Sequence, residues 1–494
     1  MAATSDSVLF SWQHVEQFPQ LKKLQLVLDV LPYQGFVAEL ARRRGRGRND
    51  YPVDAMFRLL VAGIVLQHPS AADLLRNLHS NPLLANVCGF NPLPFQQRSK
   101  RTMEKTSDGQ WHFEQVDYPL RLSLPDEWAS SRFMHASLDL LKEHDYIEDM
   151  FNELRVQLRE LLPDYGVHLG ADGKKIESHS TGRRMKRTGK PSDEDADWGK
   201  YEKKGVDKKG NAWKKITRWF GYKLHAITDT VHELPVAYEV TVASRGEQPQ
   251  LRAMLEKLRR QDSKIAARCE QFSADQGYDG DAVYEMIDRT LDARPIIDNR
   301  NLWRQEKQDG SYDPEQPILR LLNDGRAVDN ILYSERGTVY CQCPSEGALR
   351  EMSFFGYEKD RGTLKYRCPA RVNEFDCQGF EACLAHAGSE AVHYGRVVRI
   401  SLEQQNRRIF TRTPRHTRSW QKAYDLRSSV ERLFSRVADG YLLDHHYIRG
   451  LTRMKARIGL SMVIMLAMAI VRLRSGQPEL IRSLVEPLPL FDSG

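Results

Sequence analysis

The sequence predicts an α/β protein with a mixed sheet, preceded by a helical region and interrupted by a cysteine-containing insertion. Apolar residues recur at three- and four-residue spacing up to about residue 165, as in amphipathic helices. Short segments rich in β-branched and aromatic residues then alternate with helical patterns as far as residue 303. At 494 residues and 57.0 kDa the chain is too long for one ordinary core. We therefore expect units at 1–165, 166–303, 304–400 and 401–494.

The composition is that of a soluble globular protein, with 41% hydrophobic and 28% charged residues. The net charge of +7 permits a polyanionic partner without demanding one. The first residues lack the basic start and apolar run of a signal peptide, which favours a cytoplasmic location. The longest apolar run, 458–471, is shorter than the roughly 20 residues that span a bilayer. It predicts a buried helix and no membrane contact.

Helical periodicity dominates the first third of the chain. It runs through 51–90 and again through 132–162, where Pro163 ends it. Everything before about residue 165 is therefore expected to be helical. The basic stretch "RRRGRGR" at 42–48 and these helices are our candidates for recognising a DNA sequence.

The segment from 165 to 303 has the pattern of a layered α/β unit. Three strands in succession are followed by helix, strand, helix and strand, which indicates a mixed sheet. The five expected strands are "YGVHLGADGKKIES" (165–178), "RWFGYKLHAITDT" (218–230), "LPVAYEVTVAS" (234–244), "CEQFSADQGY" (269–278) and "ARPIIDN" (293–299).

A polar, lysine-rich segment at 182–215 lies between the first two strands. On charge patterning alone, a solvated loop is an equally good interpretation of this segment. The interleaved aromatic residues Trp198, Tyr201 and Trp213 favour a nucleic-acid surface, because aromatic rings stack on bases while lysines hold phosphates. The candidate DNA-binding lysines are Lys203, Lys204, Lys208, Lys209, Lys214 and Lys215.

The stretch "YDLRSSVERLF" (424–434) places a carboxylate on a helix expected to begin near Trp420. At 100° per residue, Tyr424, Arg427 and Glu431 share one narrow face. A separate stripe faces the core. An ordinary i, i+4 ion pair between Arg427 and Glu431 would contribute about 0.2–0.5 kcal/mol. The stripe consists of Leu426, Val430, Leu433, Phe434 and Val437.

Two further carboxylates, Asp172 and Asp275, follow apolar strand patterns in "VHLGADG" and "QFSADQGY". Each is equally well interpreted as a turn residue, since Asp-Gly closes hairpins. In sheet-based folds, however, ligands gather at strand ends, and two such acids with Glu431 on a covering helix could hold two divalent metals. Oxygen ligands without a histidine pair suit Mg²⁺ or Mn²⁺.

With these residues the chain resembles a bacterial insertion-sequence transposase of the DDE type, whose catalytic core is RNase H-like. The resemblance covers most of residues 50 to 475. It rests on the ordered combination of Asp172, Asp275 and the Tyr-x2-Arg-x3-Glu signature at Tyr424, Arg427 and Glu431. The family signature continues with a lysine seven residues later, where this chain has Ala438; Lys455 or Arg436 are possible substitutes.

The resemblance implies DNA transposition, with metal-dependent cleavage of double-stranded DNA and strand transfer between element ends and a target. Asp172, Asp275 and Glu431 would be the catalytic acids and the ligands of two Mg²⁺ or Mn²⁺ ions. Tyr424 and Arg427 would contact DNA phosphate. Terminal inverted repeats would be the partner, in a nucleoid-associated homodimer that pairs two ends. The alternatives are a catalytically impaired repeat-binding protein and a host RNase H-like nuclease.

Five of the seven cysteines lie between residues 341 and 383, within the expected insertion. Paired thiolates separated by a loop can build a tetrahedral zinc site, whereas the alternative is a set of reduced, buried thiols. His386 and His393 are additional possible ligands. The five candidate ligands are Cys341, Cys343, Cys368, Cys377 and Cys383.

Overall fold

The computed structural model describes most of the chain. The described residues are 15, 17–45, 51–90, 98–105, 110–118, 124–186, 188–206, 212–300, 302–303, 318–323, 330–384 and 391–484.

The N-terminal region is helical except for one β-hairpin. Strands β1 and β2 pair in antiparallel register between the fifth and sixth helices. The expectation that everything before residue 165 is helical is therefore wrong at this hairpin. The elements are α1 (Pro19–Val30), α2 (Gln34–Arg44), α3 (Val53–Val65), α4 (Ala71–Ser80), α5 (Pro82–Cys88), β1 (Arg98–Lys105), β2 (Trp111–Tyr118), α6 (Glu127–Glu143) and α7 (Tyr146–Leu161).

The central sheet contains all five expected strands and one more. The additional strand, Asp197–Val206, lies in the lysine-rich segment, for which a solvated loop was one of two interpretations. The strands are β3 (His168–Glu177), β4 (Asp197–Val206), β5 (Ala212–Asp229), β6 (Pro235–Val242), β7 (Gln271–Ala274) and β8 (Arg294–Ile297). The helices between them are α8 (Glu247–Gln261), α9 (Ser263–Arg268) and α10 (Asp281–Glu285).

The strands of this sheet run in both directions, as expected. β3 pairs antiparallel with β5 and parallel with β7, and β7 pairs parallel with β8. The second half of β5 pairs with β6, while its first half leaves the sheet as a hairpin with β4. This β6-β5-β3-β7-β8 order places β3 in the middle. The mixed sheet, with its helices, is consistent with an RNase H-like fold.

Gly221 marks the point where β5 passes from the hairpin into the central sheet. Its φ of +155° is one that L-residues rarely adopt, and a Cβ there would collide with the carbonyl oxygen of Ile176. Only glycine therefore fits the change of course. The glycine lets one strand pair with β4 in the hairpin and with β3 and β6 in the central sheet.

The insertion forms two small antiparallel sheets with a hydrophobic core of their own. Trp303, Ile331, Leu364 and Phe410 are among its buried residues. The first sheet contains β9 (Leu319–Leu321), β10 (Ile331–Ser334), β11 (Val339–Gln342) and β12 (Leu349–Glu351); the second contains β13 (Ser353–Glu358), β14 (Thr363–Arg367) and β15 (Val397–Ser401). Three short helices accompany them: α11 (Pro369–Val372), α12 (Phe380–Leu384) and α13 (Ala391–Tyr394).

The chain then returns to the central sheet and ends in helices. These are α14 (Arg418–Asp425), α15 (Ser428–Ser435) and α16 (Leu451–Arg474). Within the described residues α16 alone is long and apolar enough to cross a membrane, but 83% of its most apolar window is buried. The expected apolar run is thus part of a longer helix, and its expected burial is confirmed. The N-terminal helices, the sheet and α16 share one hydrophobic core.

Candidate active site

Asp172 and Asp275 lie side by side on neighbouring parallel strands. Ala171 of β3 pairs in register with Ala274 of β7, and each aspartate is the next residue along its strand direction. β3 continues beyond Asp172, whereas Asp275 follows the end of β7 and caps a short turn by accepting the N–H of Gly277 at 2.7 Å. Parallel strands deliver both carboxylates to one edge of the sheet.

The electrostatic setting of these two carboxylates opposes their ionisation. Burial raises the pKa of Asp172 to about 7, and the neighbouring Asp275 contributes to the rise, although the N–H of Gly173 and Arg427 act against it. Burial also raises the pKa of Asp275. Two negative charges held together in a partly buried site repel each other, and the nearby hydrogen-bond donors and cation offset that repulsion only in part. A perturbed carboxylate pair of this kind is typical of functional sites.

The third acid, Glu431, lies on α15, which is not continuous with α14. Leu426 and Arg427 form a tighter turn between them, where Arg427 donates its N–H to Tyr424 O and Val430 donates to Arg427 O, three residues apart in each case. The expected single helix from Trp420 is therefore wrong at this turn. The expected core stripe is buried except for Leu426, whose exposed fraction is 36% because it lies in that turn.

Tyr424, Arg427 and Glu431 nevertheless meet on one face. The Arg427 guanidinium lies 5.6 Å from the centre of the Tyr424 ring, and its Nη2 lies 3.0 Å from Glu431 Oε1. Its Nη1 lies 3.8 Å from Asp172 Oδ2. Arg427 thus bridges two of the expected catalytic acids. The i, i+4 ion pair between Arg427 and Glu431, considered from the sequence as an ordinary surface pair, is present.

Glu247 is a fourth carboxylate at this edge, and the sequence reasoning did not find it. It is the first residue of α8, and its Oε1 lies 3.1 Å from Lys223 Nζ. A Cβ built on Gly277 would lie 2.8 Å from Asp275 Oδ1 and 2.9 Å from Glu247 Oε2, so both carboxylates border the same small space. Burial is the main cause of the raised pKa of Asp172 and Asp275, and the negative charge of Glu247 raises both pKa values further. An acid at a helix start just after a strand is the only signal in the sequence, and a weak one.

Neither proposed substitute for the missing signature lysine faces this site. Arg436 Nη1 lies 2.7 Å from Glu233 Oε2, and Lys455 Nζ lies 2.7 Å from Glu239 Oε1. Ala438 is buried in a π-helical turn at 436–440. A rotation of 100° per residue no longer applies there, because a π turn is wider than an α turn. Besides Arg427, a lysine also lies at this edge: Lys223, whose side chain is 12% exposed and whose ammonium pairs with Glu247.

Carboxylate oxygens are the ligands that Mg²⁺ and Mn²⁺ prefer, and the mutual repulsion of Asp172 and Asp275 is what a divalent cation would relieve. The donor set therefore fits such ions. Across the described ranges, however, no three carboxylate, histidine or cysteine side chains are drawn together around one point. Glu431 is held aside by Arg427, so metal binding requires its side chain to turn inward.

The lysine-rich segment forms the β4–β5 hairpin, with Lys203 and Lys204 in register with Lys215 and Lys214. Lys214 and Lys215 are exposed, and so are the aromatic residues Trp198, Tyr201 and Trp213. Lys214 Nζ lies 2.7 Å from Glu202 Oε1, which offsets one positive charge. Lys208 and Lys209 lie outside the described residues.

The arginines at the end of α2 belong to the other candidate DNA contact. Arg42 and Arg43 pair with Glu39 at 2.6 and 2.9 Å, and Arg43 also pairs with Glu143 at 2.6 Å. The remainder of the basic stretch, from residue 46, lies outside the described residues.

Comparison with known families agrees with the geometry. The Transposase DDE domain matches residues 168–467, which begin with β3 and end within α16 and make up more than half of the chain. The Transposase domain (DUF772) matches residues 13–106. No curated protein matches the chain significantly. The chain therefore belongs to the DDE transposases of insertion sequences.

Proposed function

We propose that this transposase binds the terminal inverted repeats of its own insertion sequence, cuts the DNA there and joins the ends to target DNA. The observation that carries the proposal is the pairing of Asp172 and Asp275 on adjacent parallel strands, with Glu431 linked to Asp172 through Arg427. In a DDE family member, three such acids are the candidates for phosphodiester chemistry.

Asp172, Asp275 and Glu431 would hold two Mg²⁺ or Mn²⁺ ions. When bound, such ions activate the attacking hydroxyl and stabilise the leaving oxygen. The carboxylates Asp172 and Asp275 need no large movement, since the sheet already sets them side by side. This chemistry needs no covalent protein nucleophile.

Arg427 has two competing anionic partners in this proposal, Glu431 and the DNA backbone. Its forked guanidinium matches a phosphate in two-point geometry. When a phosphate binds the guanidinium of Arg427, the carboxylate of Glu431 is released and can turn towards Asp172. Tyr424 is stacked on Trp420 at 4.7 Å between ring centres, which fixes the ring beside Arg427 for contact with the same strand.

Glu247 and Lys223 extend the site beside Asp275. Glu247 would add a fourth carboxylate beside Asp275, and it holds Lys223 at 3.1 Å. We assign to Lys223 the phosphate contact for which the family signature uses a lysine where this chain has Ala438. Both roles follow from their position at the edge that carries the acids.

The β4–β5 hairpin would supply sequence-independent DNA contacts, and the N-terminal helices would recognise the repeats. Exposed aromatic rings between lysines suit stacking combined with phosphate neutralisation. Because two element ends must be brought together, we propose that the protein acts as a homodimer on DNA, in the cytoplasm at the nucleoid.

Two other functions share this fold. A catalytically impaired repeat-binding protein would bind without cutting, a possibility raised by Ala438, and a host nuclease would cut without joining. Purified protein incubated with labelled element ends, target DNA and Mg²⁺ separates the three. Joined products support transposition; binding alone, or cleavage without joining, contradicts it.

A further inference from the structure

The insertion encloses a small cavity lined by all five of its cysteines. They arrive there from different elements: Cys341 and Cys343 from β11 and its end, Cys368 from the end of β14, and Cys377 and Cys383 from the segment around α12. The cavity volume is about 20 Å³. A space of that size holds one water molecule or one metal ion, and no organic ligand.

The five thiols are close enough to influence one another. Burial raises the pKa of Cys341 to about 12, and the nearby Cys368, Cys383 and Cys377 contribute to the rise. Cys343 and Cys377 share a hydrogen bond between their sulfurs. The backbone N–H groups of residues 345 and 346 donate to the Cys343 sulfur. A loop that turns its amides towards a sulfur after strand β11 is prepared to hold a thiolate.

We propose that four of these cysteines bind one structural zinc ion. Sulfur ligands in a closed, four-coordinate arrangement are the preference of structural zinc. Among the described residues, no three of these thiols already converge on one point, as is also true of the carboxylates of the active site. Their side chains must therefore rotate towards the cavity when the ion binds. The four ligands are Cys343, Cys368, Cys377 and Cys383.

Cys341 is the fifth thiol, and its packing favours leaving it out of the set although it also borders the cavity. It packs against the hydrophobic core of the insertion beside residues such as Val339 and Ile331. His393 is exposed on α13, whereas His386 lies outside the described residues. Four thiols remain, which is the number that a tetrahedral site requires.

The build of the insertion gives such an ion a stabilising role. Its sheets consist of strands of three to six residues, and its own core contains a limited set of buried side chains. A bound metal adds stability to a core this limited, because binding free energy of the folded state is also folding free energy. Zinc would tie the end of β11 in the first sheet to the end of β14 in the second.

The test is the metal content of the full-length protein, expressed with zinc in the medium and purified without chelator. Elemental analysis should find one zinc per chain in the wild type and in Cys341→Ser, and less than a fifth of that in Cys343→Ser and Cys377→Ser. Wild-type protein without zinc overturns the proposal. So does a Cys341→Ser protein that loses zinc while Cys343→Ser retains it.

A second measurement uses the wild type alone and stands even where the serine variants fail to fold. Cobalt exchanged into the protein should give the intense visible absorption of a tetrahedral thiolate site, and zinc should displace it. A weak octahedral spectrum, or four thiols that react with a thiol reagent equally fast with and without a chelator, overturns the proposal.

Discussion

Arg427 Nη2 lies 3.0 Å from Glu431 Oε1, while Nη1 of the same guanidinium lies 3.8 Å from Asp172 Oδ2. The side chain of Glu431 is 56% exposed, so the ion pair itself adds little to stability. The arrangement matters for the site, because one cation stands between two acids that the proposed chemistry needs together.

Glu431→Gln is expected to abolish cleavage and leave repeat binding largely intact. The amide keeps the size of the side chain but cannot serve as an anionic metal ligand. Gel shift with labelled repeats, alongside a cleavage assay in Mg²⁺, checks both parts. Glu285→Gln is the matched control, since Glu285 forms a similar exposed i, i+4 pair with Arg289 at 3.3 Å. Full cleavage by Glu431→Gln would remove Glu431 from the site.

Asp172→Asn is expected to stabilise the protein in metal-free buffer. The pKa of Asp172 is raised from 3.8 to about 7, so ionisation costs the folded state stability above pH 4, increasingly up to about pH 7 and constantly beyond. The variant removes a penalty on the order of 1–3 kcal/mol, after allowing for relaxation around a partly exposed group.

Urea denaturation in EDTA at pH 8 and at pH 4 measures this effect. The gain should be full at pH 8 and nearly absent at pH 4. Asp360→Asn, at an exposed position in the insertion, serves as control and should change nothing at either pH. A variant less stable than wild type at pH 8 would show that ionisation of Asp172 does not destabilise the folded protein.

Glu247→Gln is expected to lower Mn²⁺ affinity and the rate of cleavage by about 10- to 100-fold, the usual range for a polar group that supports a metal site. The reason is the loss of one negative charge beside Asp275. Mn²⁺ binding followed by electron paramagnetic resonance gives a readout independent of activity. Glu256→Gln, exposed on the same helix, is the control. Unchanged Mn²⁺ affinity would leave Glu247 only its ion pair with Lys223.

The hairpin prediction concerns salt dependence. Arg218 is a further exposed basic residue of β5. Replacing Lys215 and Arg218 by Gln should weaken DNA binding and make its dependence on log salt shallower by about 0.9 for each phosphate that the protein no longer neutralises. Lys214→Gln should have a smaller effect, because Glu202 already lies 2.7 Å from its ammonium. Titrations between low and moderate salt provide the slopes. An unaltered slope in the double variant would mean that the hairpin is merely solvated.

Strong local patterns predicted most of the catalytic fold. The five expected strands and the helices between them are present, because their apolar alternation and turn residues agree with their tertiary surroundings. The β-hairpin at 98–118 and strand β4 were missed for one reason. Strands β1 and β4 consist largely of polar and charged residues, so they leave little hydrophobic pattern in the sequence, and β2 was not recognised without its partner.

The acids proposed for the site were found from the sequence, whereas Glu247 and Lys223 beside them were not. The face shared by Tyr424, Arg427 and Glu431 follows from helical geometry, and it survives the tight turn at Leu426 because that turn shifts the helix only locally. Glu247 and Lys223 come together only when α8 is placed over β5, a contact that no local spacing encodes. The π turn at Ala438 likewise has no local signature.

The insertion leaves the sheet after β8 and returns at α14, where Trp420 packs on Ile296 of β8. The two ends of this long excursion are thus neighbours, stapled to each other by a side-chain contact. Loop length costs little once the ends are fixed. Evolution can therefore enlarge, shrink or exchange the appendage in related elements while Asp172, Asp275 and Glu431 keep their places relative to one another.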